Sequence, residues 1–326
     1  MLNPIIENAY KVLDGGVLTR EEALEIAEKI DGEDILDLVS LANKVRKKFA
    51  REIAPCSILN AKSGVCAQNC RFCAQSRHHN TGIETYDLLP AEEVLEAARK
   101  AYDTGVRAFG YVPSGYGYKT VTPEFRQILD TLDLLHKELP ELKICVSIGI
   151  LSRETAKLLA EHHAWRYNMN LQTSPKRYAE LIADTHTIED KIATIKYLQE
   201  FGVTNCTGGI FGLGENWEDR VDMAFVIRDL NVEGPPLNVL LPIKGTPLEG
   251  REIMAPADVA KAFAIFRLLN PAGMIKFAAG RETVMKDFQG LLMLSGLNSM
   301  ITGGYLTTRG RSVEDDVKFI EQLNRF

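Results

Sequence analysis

The sequence predicts an α/β fold in which eight parallel strands close into a (β/α)8 barrel of the TIM type. From residue 56 onward, short runs rich in β-type residues alternate with segments of helical periodicity. The predicted strands cover 56–60, 107–112, 143–148, 165–171, 203–210, 236–242, 274–279 and 298–302. The predicted helices cover 91–103, 123–138, 152–162, 186–200, 217–230, 256–270 and 282–295, and start signals at Pro123 and Ser152 agree. Eight strands separated by helices favour a closed parallel barrel, with a doubly wound open sheet as the alternative.

Three segments make up the predicted domain organisation. Residues 1–50 read as a helical extension, because Thr19 and Glu22 form a capping-box pattern ahead of a run with helical spacing. Residues 51–310 form the barrel. Residues 311–326 read as a helical tail whose first turn is acidic.

Composition excludes several classes of protein. The chain has 326 residues, 45% of them hydrophobic, and a net charge of −6, which argues against a nucleic-acid partner. The longest uncharged stretch, Gly290–Thr308, contains too many polar residues and glycines to span a bilayer, and residues 1–15 lack the apolar core of a signal peptide. Six cysteines at clustered spacing favour metal ligation in a reducing compartment, so we expect a cytoplasmic location.

A short loop after the first predicted strand carries three cysteines, Cys66, Cys70 and Cys73, at the spacing CxxxCxxC. Thiolates are soft ligands that favour iron–sulfur clusters or zinc, and three of them leave one metal coordination position open. In a structural zinc site, His78 or His79 would have to supply the fourth ligand. Phe72 precedes the last cysteine, and the resulting pattern resembles the signature of radical S-adenosylmethionine (SAM) enzymes.

Polar residues of one parity line the fourth predicted strand. Asn168, Asn170 and Gln172 alternate with apolar residues, so they share a face of the strand. Barrel interiors are ordinarily filled with bulky aliphatic side chains. A polar interior therefore indicates a barrel that holds ligands along its axis, although each amide alone could be a satisfied strand-end residue.

The other three cysteines fall on alternate strands. Cys56, Cys145 and Cys206 lie on predicted strands 1, 3 and 5, and Arg281 closes strand 7. Odd-numbered strands contribute to one common layer of such a barrel, so we expect the three thiols and the guanidinium to converge below the first cysteine loop. This convergence favours a second iron–sulfur cluster. Taken singly, each cysteine is more often a small buried hydrophobe, and Arg281 could instead pair with a carboxylate such as Glu282.

Motifs along most of the chain resemble the biotin synthase family of radical SAM enzymes. They are CAQNCRFCAQS from Cys66, YNMNLQTS from Tyr167, CTGGIFGLGE from Cys206, NVLLPIKGTP from Asn238, AGRE from Ala279 and YLTT from Tyr305. The resemblance implies that dethiobiotin is the substrate. It also implies that Cys66, Cys70 and Cys73 hold a [4Fe–4S] cluster whose fourth iron binds SAM.

The resemblance also assigns individual contacts. Residues expected to touch SAM are Phe72, Asn170, Gln172, Ile210 and Leu241, and residues expected to touch the substrate are Asn168, Asn170, Asn238, Thr307 and Thr308. His186 stands where some members hold the SAM carboxylate with arginine, and Gln172 replaces an acid that often binds the ribose. Expected partners are an electron donor such as flavodoxin or ferredoxin and a second copy of the chain in a homodimer.

One departure from the family concerns the second cluster. The better-known members place a cluster cysteine on strand 2, where this chain has Gly110, and this chain has Cys56 on strand 1 instead. We therefore expect Cys56, Cys145 and Cys206 to bind an auxiliary cluster near Arg281, of a four-iron type with an extra sulfide rather than [2Fe–2S]. The alternatives are another radical SAM enzyme, such as a cofactor maturase or a mutase, and a non-catalytic barrel stabilised by zinc.

Overall fold

The computed structural model describes residues 1–50 and 52–326, and the side-chain surroundings of residues 304, 308 and 309 lie outside the description. The barrel strands are β1 Ala54–Lys62, β2 Ala108–Pro113, β3 Lys143–Val146, β4 Arg166–Asn168, β5 Thr204–Cys206 with Gly209–Phe211, β6 Pro236–Val239, β7 Lys276–Phe277 and β8 Ser299–Ile301. The helices are α1 Pro4–Ala9, α2 Arg20–Lys29, α3 Asp34–Phe49, α4 Ala91–Asp103, α5 Pro123–Glu138, α6 Arg153–Glu161, α7 Tyr178–Leu181, α8 Ile188–Glu200, α9 Trp217–Asp229, α10 Pro256–Leu269, α11 Gln289–Leu294 and α12 Val313–Leu323.

All neighbouring barrel strands pair in parallel, and strand β5 closes the circle. Its first segment pairs with β4 through Asn168 and Cys206, and its second segment pairs with β6 through Gly209 and Leu237. The remaining neighbours follow the order β4, β3, β2, β1, β8, β7, β6. The predicted (β/α)8 barrel is therefore confirmed.

The break in β5 depends on two glycines. A Cβ atom on Gly208 would lie 1.9 Å from the carbonyl oxygen of Pro236, and one on Gly209 would lie 2.3 Å from the sulfur of Met223. A larger residue at Gly208 would displace the backbone of β6, and one at Gly209 would displace the side chain of Met223 and press on the carbonyl of Gln172, at 2.8 Å. The close approach lets the backbone of Gly208 donate to the side chain of Asn170, at 3.0 Å.

The N-terminal helices pack on the outer helical layer. Thr19 caps α2 and forms the predicted capping box with Glu22. Arg20 then binds Asp222 and Glu218 of α9, at 2.7 and 2.8 Å. Because α2 lies against α9 and α3 lies against α10, the first 49 residues cover one side of the barrel.

Two predicted helices begin later than expected. Helix α8 begins at Ile188 because Thr187 accepts a hydrogen bond from Asp190 as its N-cap. Helix α11 begins only at Gln289, because the segment from Arg281 turns back over the end of β7 before the helix starts. Among the described residues, none of the helices has both the length and the apolar character needed to cross a membrane.

Candidate active site

All eight strands contribute to the lining of one cavity of about 280 Å³, which therefore lies inside the barrel. The cavity is lined by both groups of cysteines, those of the loop after β1 and those of strands β1, β3 and β5. A second cavity of about 130 Å³ shares Phe72, Asn170 and Gln172 with the first, so the two adjoin. Together they form one channel that runs from the loop into the barrel.

The loop after β1 is held in a compact form by its own backbone. The amide of Cys66 donates to Gln75, that of Arg77 donates back to Cys66, and that of Cys73 donates to Cys70. The six cysteines are free thiols. Burial and the charges of Cys70 and Cys66 together raise the pKa of Cys73 to about 12. Three thiols that oppose one another's ionisation in this way are suited to a cationic metal cluster, which would stabilise the thiolate forms.

The two histidines near this loop do not face the cavity. His78 and His79 each place Nε2 3.0 Å from a backbone oxygen of the loop, at Ala67 and Cys70. They therefore support the loop rather than complete a zinc site. Among the described residues, no three His, Cys, Asp or Glu side chains are grouped around a position for a single metal ion.

A second group of thiols lies deeper in the barrel. Cys56, Cys145 and Cys206 are buried and line the same cavity. Burial and the charges of Cys56 and Cys206 together raise the pKa of Cys145 to about 12, so the three thiol groups interact electrostatically. Gly110 pairs with Cys145 across β2 and β3, and a Cβ atom there would lie 2.8 Å from Ile58. The side chain of Ile58 thus occupies the space beside Gly110.

A buried lysine, which sequence reasoning missed, accompanies these thiols. The ammonium group of Lys276 donates to the sulfur of Cys56 at 3.1 Å. Burial alone would lower the pKa of Lys276, but the thiolates of Cys56, Cys206 and Cys145 raise it overall. A signal was available, because Lys276 is the one charged residue within the apolar run of predicted strand 7.

Arg281 does not join this group, and its predicted place is corrected here. Its guanidinium donates to Asp316 at 2.7 Å, to Gln289 at 2.6 Å and to the carbonyl of Ile301 at 3.3 Å, and it also contacts Glu282. The reason is that β7 ends at Phe277 and the chain turns at Gly280, whose φ is +87°, so that Arg281 reaches Asp316 of α12. Arg281 therefore pairs with carboxylates, which is the alternative that the sequence left open.

The polar residues of β4 and its extension border the cavity as a group. Asn168 donates to the carbonyl of Cys206 at 3.0 Å and to Asn170 at 3.3 Å. Gln172 has a positive φ of 74°, and its side-chain oxygen is buried without a hydrogen-bond partner among the described residues. A buried acceptor in that state fits a ligand hydroxyl or amine, such as those of SAM.

The smaller cavity brings together most of the residues that were expected to bind SAM or substrate. Its lining includes Phe72, Asn170, Gln172, Ile210, Asn238, Leu241 and Thr307. Asn238 donates to Gly209 and accepts from Ala279, both at 2.9 Å, so its amide also joins β5 to the end of β7. The side chain of Thr308 lies outside the described residues.

His186 lines the main cavity as a neutral side chain. Its ring nitrogens are 2.7 Å from the hydroxyl of Tyr178 and 2.8 Å from the side-chain oxygen of Gln68. Burial and the charge of Lys191 together lower the pKa of His186 to about 4. The cation at this end of the cavity is Lys191, which sequence reasoning also missed. Lys191 is buried, donates to the carbonyl of Asn170 at 2.8 Å, and has its pKa lowered to about 8 by that burial despite the charge of Cys70.

Two family models match the chain and together cover most of it. Residues 61–227 match the radical SAM superfamily, and residues 236–325 match the biotin and thiamin synthesis associated domain. Among solved structures, methylornithine synthase superposes with a TM-score of 0.84 at 18% identity, over 97% of this chain and 95% of that one. A hydrogenase maturase from Carboxydothermus hydrogenoformans superposes with a TM-score of 0.82 at 17% identity, over 98% and 78%. At such identities these two likenesses show the fold alone.

The fold, the thiol loop and the family match define the chain as a radical SAM enzyme, a class that uses a [4Fe–4S] cluster and SAM. Biotin synthase from Pelodictyon phaeoclathratiforme is 54% identical over all of this chain and 98% of its own length. Biotin synthase from Chlorobium phaeovibrioides is 55% identical over the same shares. The chain belongs to the biotin synthase family.

Proposed function

We propose that the chain inserts sulfur into dethiobiotin and takes that sulfur from an auxiliary iron–sulfur cluster bound by Cys56, Cys145 and Cys206. The observation that carries the proposal is the single cavity lined by two separate cysteine triads. A maturase or mutase of the same fold requires only the loop triad. The strand triad and Lys276, which line the same cavity, support the proposal of a second cluster.

The residues of the loop prepare the first site. Cys66, Cys70 and Cys73 would hold the [4Fe–4S] cluster and leave one iron free for SAM. When bound, the two cofactors supply the one-electron chemistry that activates an unreactive carbon–hydrogen bond. The protein excludes water from the cavity, because a carbon radical formed there would otherwise react with any loose hydrogen donor.

Lys191 is proposed to hold the carboxylate of SAM, in place of the contact expected from His186. The neutral ring of His186 has both nitrogens engaged, whereas Lys191 is a cation that lines the same cavity. His186 then positions Gln68 and Tyr178 around the loop. Gln172 offers its unpaired oxygen to a hydroxyl or amine of SAM, and Phe72 offers an apolar face to the adenine.

Dethiobiotin is proposed to lie between the two metal sites. Asn168 and Asn170 border the space between them, and Thr307 lines the adjoining cavity. The roles of Asn238 and Thr308 at the substrate remain predictions. A homodimer, a cytoplasmic location and flavodoxin or ferredoxin as the electron donor are likewise proposed from the family.

The auxiliary cluster is proposed to be a four-iron type that carries an additional sulfide. Supporting this, the thiols come from β1, β3 and β5, and β2 contributes Gly110 instead of a cysteine. The ammonium of Lys276 would offset the negative charge of three thiolates and a sulfide.

Variants of Cys56 test the ligand set. We expect Cys56→Ala to lose iron and acid-labile sulfide from the auxiliary site, with a Mössbauer spectrum reduced to that of the loop cluster. An auxiliary spectrum unchanged from wild type would show that Cys56 is not a ligand.

The function itself is tested by anaerobic incubation with SAM, a reductant and dethiobiotin. We expect biotin and 5′-deoxyadenosine, both identified by mass. Cleavage of SAM without biotin would support another radical SAM activity. Zinc in place of iron in anaerobically purified protein, with no SAM cleavage, would support the non-catalytic barrel.

A further inference from the structure

A groove on the outside of the barrel mouth lies one residue away from the loop cluster. It has a volume of about 420 Å³ and is lined by Arg71, Arg251, Glu180, Leu181, Leu213 and Leu248, among others. Arg71 directly follows Cys70, and its amide donates to the carbonyl of Ile182 at 2.9 Å. The groove therefore gives a partner molecule an approach to Cys70 from outside, without entry into the substrate cavity.

The charge of this groove differs from that of the rest of the molecule. Arg71 and Arg251 are exposed, and no carboxylate among the described residues forms an ion pair with either. Glu180 lines the groove but is bound by Arg177 at 2.8 Å.

The lining combines these cations with apolar side chains. Leu181, Leu213 and Leu248 are buried in the wall of the groove, and Arg251 reaches across to donate to the carbonyl of Leu213 at 3.0 Å. The surface of the groove is therefore set mainly by its charged side chains, two arginines and one glutamate, which give the lining a net positive charge. On a chain of net charge −6, such a surface would attract an acidic partner to this point.

We propose that this groove is the docking surface for the acidic redox protein that reduces the loop cluster. The inference rests on the proposed function, because only a cluster held by Cys66, Cys70 and Cys73 requires an electron at this position. The step transfers one electron from the reduced carrier to the oxidised cluster, and no bond is made or broken. Electrostatic attraction acts mainly on the rate at which the two proteins meet. The charge of the groove therefore determines the carrier concentration that is needed for a given rate of cluster reduction.

The test compares two reductants on the reconstituted enzyme. SAM cleavage is measured with a reduced acidic ferredoxin at varied concentration and, separately, with dithionite. We expect Arg251→Glu and Arg71→Glu to raise the ferredoxin concentration for half-maximal rate by about tenfold or more, because steering by charge changes association over at least that range. Arg251→Lys should stay near wild type, and the dithionite rate of Arg251→Glu should not change.

A matched control is Lys47→Glu, an exposed lysine of α3. The proposal is overturned if Arg251→Glu keeps the ferredoxin dependence of wild type, or if Lys47→Glu weakens it equally. Should Arg71→Glu also lose its dithionite rate, Arg251→Glu decides alone, because Arg251 lies outside the cysteine loop. A wild-type enzyme that fails to cleave SAM even with dithionite would instead contradict the proposed function.

Discussion

Two buried lysines mark the places where negative charge is expected in this barrel. Lys276 donates to Cys56 at 3.1 Å, and Lys191 donates to the carbonyl of Asn170 at 2.8 Å. A buried ammonium without an anionic partner costs several kcal/mol, so each position indicates an anion that binds nearby. For Lys276 we propose that the anion is the auxiliary cluster with the thiolates of Cys56, Cys145 and Cys206, and for Lys191 we infer the carboxylate of SAM.

Replacing Lys191 with Met removes the charge and keeps most of the side-chain volume. We expect the SAM concentration for half-maximal cleavage to rise by about tenfold or more, because breaking a buried charge pair costs at least ~2 kcal/mol. Lys191→Arg should recover part of the loss. The measurement is the rate of 5′-deoxyadenosine formation at varied SAM.

Lys196→Met is the matched control, since Lys196 is exposed on the same helix, α8. It should leave the SAM dependence unchanged. The assignment to Lys191 is contradicted if His186→Gln weakens SAM binding more than Lys191→Met does.

Replacing one cysteine in each triad should show that the two triads have different functions. Cys206→Ala should abolish biotin formation and keep SAM cleavage, because the loop cluster remains intact. Cys66→Ala should abolish both, because its thiol belongs to the loop triad. Both products are quantified by mass in the same reaction. Equal loss of SAM cleavage in the two variants would mean that Cys206 does not serve a separate site.

The end of β7 is tied to helix α12 by a buried network. Arg281 donates to Asp316 of α12, which is itself fully buried, and also to Gln289 of α11. Glu282 accepts from the amide of Arg311 in the same region. The network holds the C-terminal helix against the segment that contains Tyr305 and Thr307, which line the cavities.

Arg281→Met should therefore act on stability rather than on the cluster. We expect the free energy of unfolding to fall by about 3 kcal/mol, because the buried Asp316 loses its nearest cation and keeps only Arg311, at 3.9 Å. The iron and sulfide content per folded chain should not change. Urea denaturation and metal analysis measure the two effects, with the exposed Arg325→Met as the control. If Arg281→Met instead lost auxiliary iron and kept the wild-type free energy of unfolding, Arg281 would act at the auxiliary cluster as first predicted.

The elements themselves could be predicted because strand and helix periods alternate along the chain. What the sequence could not provide was the exact end of each strand. The sequence predicts a strand 7 that extends to residue 279, with Arg281 at its end. In the structure β7 is Lys276–Phe277, and the turn at Gly280 places Arg281 away from the strand cysteines. The strand cysteines could be grouped because they fall on alternate predicted strands, and Lys276 left a signal as the one charge in an apolar run. Lys191 required coordinates, because a lysine within a helix reads as a surface residue.

The molecule as a whole combines a common barrel with an uncommon interior. Its fold is shared with a methylornithine synthase and a hydrogenase maturase at only 17–18% identity, so the fold does not define the chemistry. In this chain one cavity is lined by both groups of cysteines, and a groove lies outside the barrel beside the loop. Under the proposals made above, electrons, SAM and substrate would each have a separate place.

The source of the inserted sulfur is open to direct measurement. The enzyme is reconstituted with sulfide carrying a heavy sulfur isotope, freed of excess sulfide, and allowed one turnover with unlabelled SAM and dethiobiotin. We expect the biotin formed to carry the heavy isotope in wild type, and no biotin to form in Cys206→Ala. Biotin whose sulfur has the natural isotopic composition would contradict an auxiliary cluster as the donor.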